Sequence, residues 1–475
     1  MDFFCPLCYN IFCWAQVAAN FLFGKEGCVL QKIDLTQGPI FRQLVRFSLP
    51  MIGGNLLQQV YNLVDTLIVG QCLGPQALAA VGSVYTLMVF LTSILIGLCM
   101  GSGAFFSADV GAGEQEHLHE DAVLSFWFIL AVSVGMYLVI YPGMQAILRL
   151  LQTPPELMEM TRAYVGVVFV GLGFVFLYNF FAYLLRSLGN TTVPLVFLGI
   201  SAGLNVALDL WFVMGLKMGV AGAAWATVIA QGVSGIGLGL YALKKVPALG
   251  GSWRCRNFGR LWQIIVSDVA TGIQQSVMNF GILMIQGLVN SFGPTVMASF
   301  AAAVKIDTIA YMPAQEFGNA YSLFVSQNFG AKKPERIRSG TRMAFWASGS
   351  ICAGISCLIF CFAPALMGLF IAPEETQIIA EGVRYLRIEG AMYAGIGVLF
   401  LWYGYFRGIG RPRISLVLTV ISLGTRVALA YALAPTTPLG VAAIWWAIPI
   451  GWLLADGAGL LFYRRCRHSE KKSSF

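Results

Sequence analysis

The second half of this chain repeats the first, and no other feature constrains the fold as tightly. At an offset of 219 residues, Gly74, Pro75, Ala79, Phe105, Ser107, Gly111, Ala112 and Glu116 meet identical residues at Gly293, Pro294, Ala298, Phe324, Ser326, Gly330, Ala331 and Glu335. Further along, the offset becomes 221. Arg186, Gly189, Leu195, Val196, Ser201, Gly203, Val206, Ala207, Leu208, Gly219, Val220 and Ala221 then find identical partners between Arg407 and Ala442. The repeat does not extend to the charges: Asp65 lands on Met284, Asn205 on Arg426 and Asp209 on Ala430. Two packed copies of one architecture are what a secondary transporter uses to rock about a central site. The asymmetry in buried charge points to the first half as the one that handles a driving ion.

Both copies are written for lipid. Of 475 residues, 58% are hydrophobic and 11% charged, against about 25% charged in soluble domains, which excludes an ordinary soluble enzyme. A spanning helix takes about 20 apolar residues. Twelve such stretches are predicted near 44–68, 78–106, 120–143, 162–186, 191–214, 219–243, 262–290, 296–326, 341–363, 384–406, 414–434 and 440–463. They are long, rich in Leu and Gly, and lack the period-two alternation of a β-barrel. The expected fold class is therefore all-α integral membrane, with twelve transmembrane helices in two six-helix lobes related by an internal parallel repeat. Residues 1–40 form an N-terminal extension, 41–245 the first lobe and 246–261 a basic cytoplasmic linker. Residues 262–463 form the second lobe and 464–475 a basic tail. Pro247, Gly250 and Gly251 among five basic residues mark the linker by composition.

The formal charge of +8 reflects topology. With the N-terminus in the cytoplasm, 23 of the 30 Lys and Arg residues fall on the cytoplasmic side and five (Arg149, Arg162, Lys217, Arg384, Arg387) on the other. That bias is the positive-inside rule, so no nucleic-acid partner is implied, and a multi-pass protein of the inner (plasma) membrane with both termini cytoplasmic is expected. Met1 to Gly24 is apolar but lacks a basic n-region and a small-residue cleavage site, so it makes a poor signal peptide. It reads best as sequence upstream of the functional start. The 11 cysteines are scattered. Cys5 and Cys8 form a lone C-x-x-C without a second pair, so free thiols are expected rather than a zinc site.

An ionisable side chain within a span is costly and asks for a reason. Tyr61 and Asp65 are four apart in the first span, hence on one helix face, and Asn205 and Asp209 repeat that spacing in the fifth. Thr227 offers a hydroxyl in the sixth. At 1.5 Å of rise per residue, Asp209 lies about 22 Å beyond Pro194, and Thr227 about 12 Å into a helix returning from outside. All sit at similar height in the outer half of the bilayer. Such hard oxygen donors can hold Na⁺, or the two carboxylates can share a proton; otherwise they serve only to bind neighbouring helices together. The other half offers Gln274, Gln275, Lys305, Asp307 and Arg426. Two fixed positive charges make a poor cation site, so this group reads as structural pairing of Lys305 or Arg426 with Asp307, or as substrate contact. No G-x-x-x-x-G-K-[ST] loop is present to cradle ATP, so energy comes from an ion gradient or a partner. His117, His119 and His468 fall in loops or the tail, leaving no buried imidazole metal site. No metal is expected beyond Na⁺ at Asp65 and Asp209, and no cofactor beyond Na⁺ or H⁺ as coupling ion.

These motifs together resemble the multidrug and toxic compound extrusion (MATE) family, nearer its DinF-like and MepA-like bacterial branch. The resemblance spans residues 40 to about 465. It rests on Pro50 with Gln58 and Gln59, on Asp65-Thr66-Leu67-Ile68-Val69-Gly70 and on Arg186-Ser187-Leu188-Gly189. It continues through Asn205 to Asp209, Gly219-Val220-Ala221-Gly222-Ala223-Ala224, Gln327-Asn328-Phe329-Gly330-Ala331 and Phe406-Arg407-Gly408-Ile409-Gly410. The resemblance implies a non-enzymatic exporter, monomeric and without an ATPase subunit, that exchanges amphipathic or cationic organic molecules for Na⁺ or H⁺. Its cation site would match Tyr61, Asp65, Asn179, Asn205, Asp209 and Thr227, Asn179 by resemblance alone. The chain departs from the family's NorM-like branch, which uses acidic residues in its second lobe; here the seventh span offers Gln275 and Met278. Coupling confined to the first lobe is the expectation. Two other readings compete: a flippase for lipid-linked precursors, which Lys305 and Arg426 keep open, and a membrane-embedded transferase, for which no D-D-x-x-D or His–Asp motif is found.

Overall fold

The computed structural model describes residues 32–473, apart from 151–153, 252 and 254–257. Most of the N-terminal extension discussed above therefore lies outside the described residues. The described residues are helical almost throughout, with no strand among them. In lipid a backbone N–H or C=O has no water to turn to, and a helix satisfies both within one segment.

The helices of the first half are α1 (Ile40–Leu73), α2 (Pro75–Ala112), α3 (Gln115–Leu150), α4 (Pro155–Ser187), α5 (Thr192–Asp209) and α6 (Gly219–Lys245). Those of the second half are α7 (Leu261–Asn290), α8 (Pro294–Gly330), α9 (Pro334–Gly368), α10 (Thr376–Gly390), α11 (Tyr393–Gly408), α12 (Pro412–Leu433) and α13 (Val441–Ser473). Nine of the described helices are long and apolar enough to cross a membrane by length and composition. Proline opens α2, α4, α8, α9 and α12, where its missing N–H is no loss. The tenth expected span, 384–406, is two helices in series. The chain turns at Ala391–Met392, where the Met392 N–H bonds the Glu389 carbonyl at 2.9 Å, so α10 ends and α11 restarts within one crossing.

The sequence repeat is a repeat of turns. Left-handed backbone recurs at equivalent positions: Gly74 with Gly293, Gly113 with Lys332, Gly189 with Gly410 and Gly219 with Gly440. Lys332 holds φ +55° where its counterpart is a glycine, so the turn is kept even without the residue that adopts it most readily. Gly189 is constrained twice. Its φ is +86°, and an added Cβ would fall on the carbonyl oxygen of Ile33.

Packing divides the chain differently from the repeat. One compact unit comprises Gly53–Thr86 and Leu130–Gly250; the other comprises Asp34–Ile52, Leu87–Ile129 and everything from Gly251 onward. In the first unit, Val69, Ala77, Val213, Val220 and Ala223 form a buried cluster with Leu73, Val81, Met160 and Tyr164 against it. There α4 and α6 meet through glycine, the usual device for close approach in lipid. A Cβ at Gly235 would stand 2.9 Å from the Phe174 carbonyl oxygen, and one at Gly239 would stand 2.8 Å from the Phe181 ring. In the second unit, Phe300 stacks on Trp445 with centroids 5.4 Å apart, and Tyr385 meets both edge-on. The six cysteines among the described residues form no disulfide with one another.

Gly235→Val should wedge α4 from α6 and cost about 1–3 kcal/mol, the usual penalty of overpacking. Thermal unfolding of the purified protein in detergent measures it. Gly173→Ala, where an added Cβ meets nothing within 4 Å, should leave the midpoint nearly unchanged.

Candidate functional site

Within the first unit, three helices deliver the oxygen donors. Asp65 lies on α1, one turn beyond Tyr61. Asp209 is the last residue of α5 proper, and a π-helical turn, Leu210–Gly215, begins at the next residue. Such widened turns often mark functional positions, because they rearrange backbone hydrogen bonds locally. Asp209 is fully buried and Asn205 nearly so. The side chains of Asp65 and Asp209 come within hydrogen-bonding reach of each other. Asn205 Nδ2 donates to Thr227 Oγ1 at 3.3 Å, and the Thr227 hydroxyl donates to the Ala223 carbonyl at 3.1 Å. The structure thus brings together four of the residues singled out from sequence.

The inventory is acceptor-rich and donor-poor. Among the described residues, no N–H or O–H reaches Asp65 Oδ1, either carboxylate oxygen of Asp209, or Asn205 Oδ1, and all four atoms are buried. Two carboxylates at this separation cannot both be ionised and unaccompanied, because like charges in a poorly solvated site repel strongly. Such a set of oxygens is chemically able to share a proton or to hold a monovalent cation. The Tyr61 oxygen lies within hydrogen-bonding reach of the Gln58 side chain, and the phenol lies near Asp65. Asn179 donates its amide to the Val175 carbonyl of its own helix at 2.8 Å, so its Nδ2 does not join the group. Tyr164 of α4, not anticipated, lies beside both carboxylates. A tyrosine near the membrane boundary reads from sequence as an interfacial anchor, so nothing distinguished it.

The second unit holds another acidic pair. Asp307 of α8 and Glu389 of α10 are 6% and 1% exposed and lie within side-chain reach of each other. Asp307 accepts a 2.6 Å hydrogen bond from the Tyr393 hydroxyl. Arg426 is buried within electrostatic range of both acids. Lys305 is exposed and forms no ion pair with Asp307 among the described residues; the partner of Asp307 is a phenol. Gln274 is buried with Oε1 unpartnered among the described residues, while Gln275 is half-buried. The second half is therefore not free of buried carboxylates. Glu389 escaped the sequence reading because it adjoins the helix break, in a run where Arg384 and Arg387 suggested a membrane boundary.

The chain is an all-helical, multi-pass membrane protein with buried carboxylates in both halves, an inventory that secondary transporters share with other ion-handling membrane proteins. The family model MatE matches twice, at residues 50–211 and 270–432, an interval that follows the internal repeat. The chain belongs to the MATE family of multidrug efflux transporters. It is 29% identical over 443 residues to the probable multidrug resistance protein YpnP of Bacillus subtilis, covering 93% of this chain and 99% of that protein. It is 22% identical to the multidrug export protein MepA of Staphylococcus aureus, covering 81% and 85%. Among solved structures, an outward-facing multidrug resistance MATE transporter of the MOP superfamily superposes with a TM-score of 0.87 at 24% identity, covering 93% and 99%. A MOP-superfamily transporter from Pyrococcus furiosus, described as having a binding pocket of reverse polarity, superposes with a TM-score of 0.86 at 24% identity, covering 93% and 99%. These likenesses bear out the expected all-α fold of twelve spans in two six-helix lobes.

Removing the phenol that serves Asp307 should be costly. Tyr393→Phe leaves a buried carboxylate oxygen without its donor, at about 1–3 kcal/mol. Thermal unfolding of Tyr393→Phe, Asp307→Asn and the double variant closes the cycle, and the two effects should be strongly non-additive.

Proposed function

We propose that this chain exports amphipathic or cationic organic molecules from the cytoplasm in exchange for Na⁺ or H⁺, by alternating access of its two lobes. It works as a monomer in the inner (plasma) membrane, with both termini in the cytoplasm. The observation that carries the reading is the juxtaposition of Asp65 and Asp209 with buried oxygens that no donor reaches among the described residues. Binding a proton or Na⁺ there removes an electrostatic penalty, so occupancy and conformation are linked through one free energy. The names of the relatives, multidrug resistance and multidrug export proteins, support the substrate class. A flippase for lipid-linked precursors would favour free positive charge for phosphate. Arg426, set beside two carboxylates, is poorly suited to that.

Asp65→Asn and Asp209→Asn should each insert at normal yield and lose ion-driven efflux. Ethidium efflux from proteoliposomes, with Na⁺ and pH gradients imposed separately, measures this and identifies the ion. Wild-type efflux rates in both variants would return these carboxylates to a purely structural role. The orientation has its own check: Ser474→Cys in sealed cells should stay unreactive to a membrane-impermeant maleimide until the membrane is permeabilised.

A further inference from the structure

The second unit contains a joint between the two halves of the chain, and it is built reciprocally. An added Cβ at Gly111, on the last turn of α2, would fall on the carbonyl oxygen of Gln327 in α8. One at Gly330, on the last turn of α8, would fall on the carbonyl oxygen of Ala108 in α2. Both pairs of equivalents are 219 residues apart, so each helix offers the other the same glycine and the same carbonyl. This is the self-complementary contact expected about a local two-fold axis.

Two segments are tied across that joint. The chain leading into α1 is held by the second half. The Leu35 N–H donates to Gln327 Oε1 at 3.1 Å, and the Leu35 carbonyl accepts from Asn328 Nδ2 and Arg336 Nε, each at 3.1 Å. Arg336 also donates to the Gly38 and Gln37 carbonyls at 2.8 Å and to Gln43 Oε1 at 2.7 Å. The chain leading into α7 is held by the first half. Arg260 Nη2 stands 3.0 Å from Asp109 Oδ1 and 2.9 Å from Asp121 Oδ2, and both acids are buried. Beside it, Trp127 Nε1 donates to the Trp253 carbonyl at 2.9 Å. Asp109 and Asn328, which grip the two straps, are themselves repeat equivalents at the 219 offset. Each half thus carries its neighbour's lead-in segment at the same point of its own fold.

We propose that Arg260 and Arg336 are paired latches on the cytoplasmic gate: each secures one strap across the Gly111–Gly330 crossing, and opening toward the cytoplasm requires both to let go together. Multidentate guanidinium contacts suit this task, since they fix orientation as well as distance. The inference rests on the alternating-access reading above and adds the device that opposes one of its two states. Ion binding at Asp65 and Asp209 is not part of it, because those residues belong to the other packed unit.

The test is made on full-length protein reconstituted in liposomes without an imposed gradient. Spin labels are placed, in a background freed of native cysteines, at Glu116 and Glu335, which are exposed and repeat-equivalent at the starts of α3 and α9. The native latches should give one short distance population. Arg260→Ala and Arg336→Ala should each add a longer one. Hydrogen exchange supplies a readout that a purely local role would not move: in Arg260→Ala, the amides of the other strap, residues 35–43, should lose protection. Should Arg260→Ala fold poorly because Asp109 and Asp121 are left unpaired, adding Asp109→Asn and Asp121→Asn removes the buried charge and carries the same test. Unchanged distances in both strap variants, or a second strap that keeps native protection when the first is cut, overturns the proposal. Failure of the transport reading shows separately, as absence of ion-driven efflux by the wild type, whatever the distances do.

Discussion

A carboxylate in a membrane protein cannot be left to itself, and much of this structure follows from how its acids are accompanied. Water is not there to solvate the charge, so each acid needs a donor, a cation or a proton. Asp307 has the Tyr393 hydroxyl and Arg426 near it; Asp109 and Asp121 have Arg260; Asp268 accepts a 2.6 Å hydrogen bond from Ser102. Asp65 and Asp209 instead have each other. The same physical rule thus makes some acids parts of the scaffold and leaves this pair with buried oxygens that no donor reaches among the described residues.

How much of this is legible in the sequence depends on the coordinate concerned. Depth along a helix is readable, because 1.5 Å per residue turns numbering into height. Asp65, Asn205, Asp209 and Thr227 were placed at one level that way and are brought together. Azimuth is less readable in a helix that is apolar nearly all round. Lys305 and Asp307 are two residues apart, hence on different faces, so a correct depth for both did not make them a pair. Glu389 was hidden by a different effect. That residue lies two positions before the turn at Ala391–Met392, in a run where Arg384 and Arg387 point to a membrane boundary rather than an interior. Tertiary ion pairs leave no periodic trace at all: Arg260 meets Asp109 from 151 residues away, and in the sequence it was one basic residue among five in a linker.

The internal repeat carries a further lesson about what duplication preserves. Some of its identities fall at left-handed turns, helix-opening prolines and crossing glycines, positions where backbone geometry leaves few alternatives. The buried acids diverged: one pair is reached from α1 and α5 in one half, another from α8 and α10 in the other. The two pairs are therefore not copies. They are separate solutions to burying charge, placed on a common backbone plan, which is why aligning the halves showed acids lost but could not show where others had been gained.

Symmetry in the joint and asymmetry in the sites are physically compatible, and together they describe a coherent machine. A joint that must part and re-form works best when both sides present equivalent surfaces, because strain is then shared rather than concentrated in one weak contact. Gly111 and Gly330 supply that equivalence at the level of the backbone, where an added methyl group has no room. A driving site has the opposite requirement. Two identical ion sites would bias both halves alike, and the two acid pairs here are not identical: Arg426 lies within electrostatic range of Asp307 and Glu389. The repeat thus supplies the close crossing of the two halves, and departures from the repeat supply the acid pairs that distinguish them.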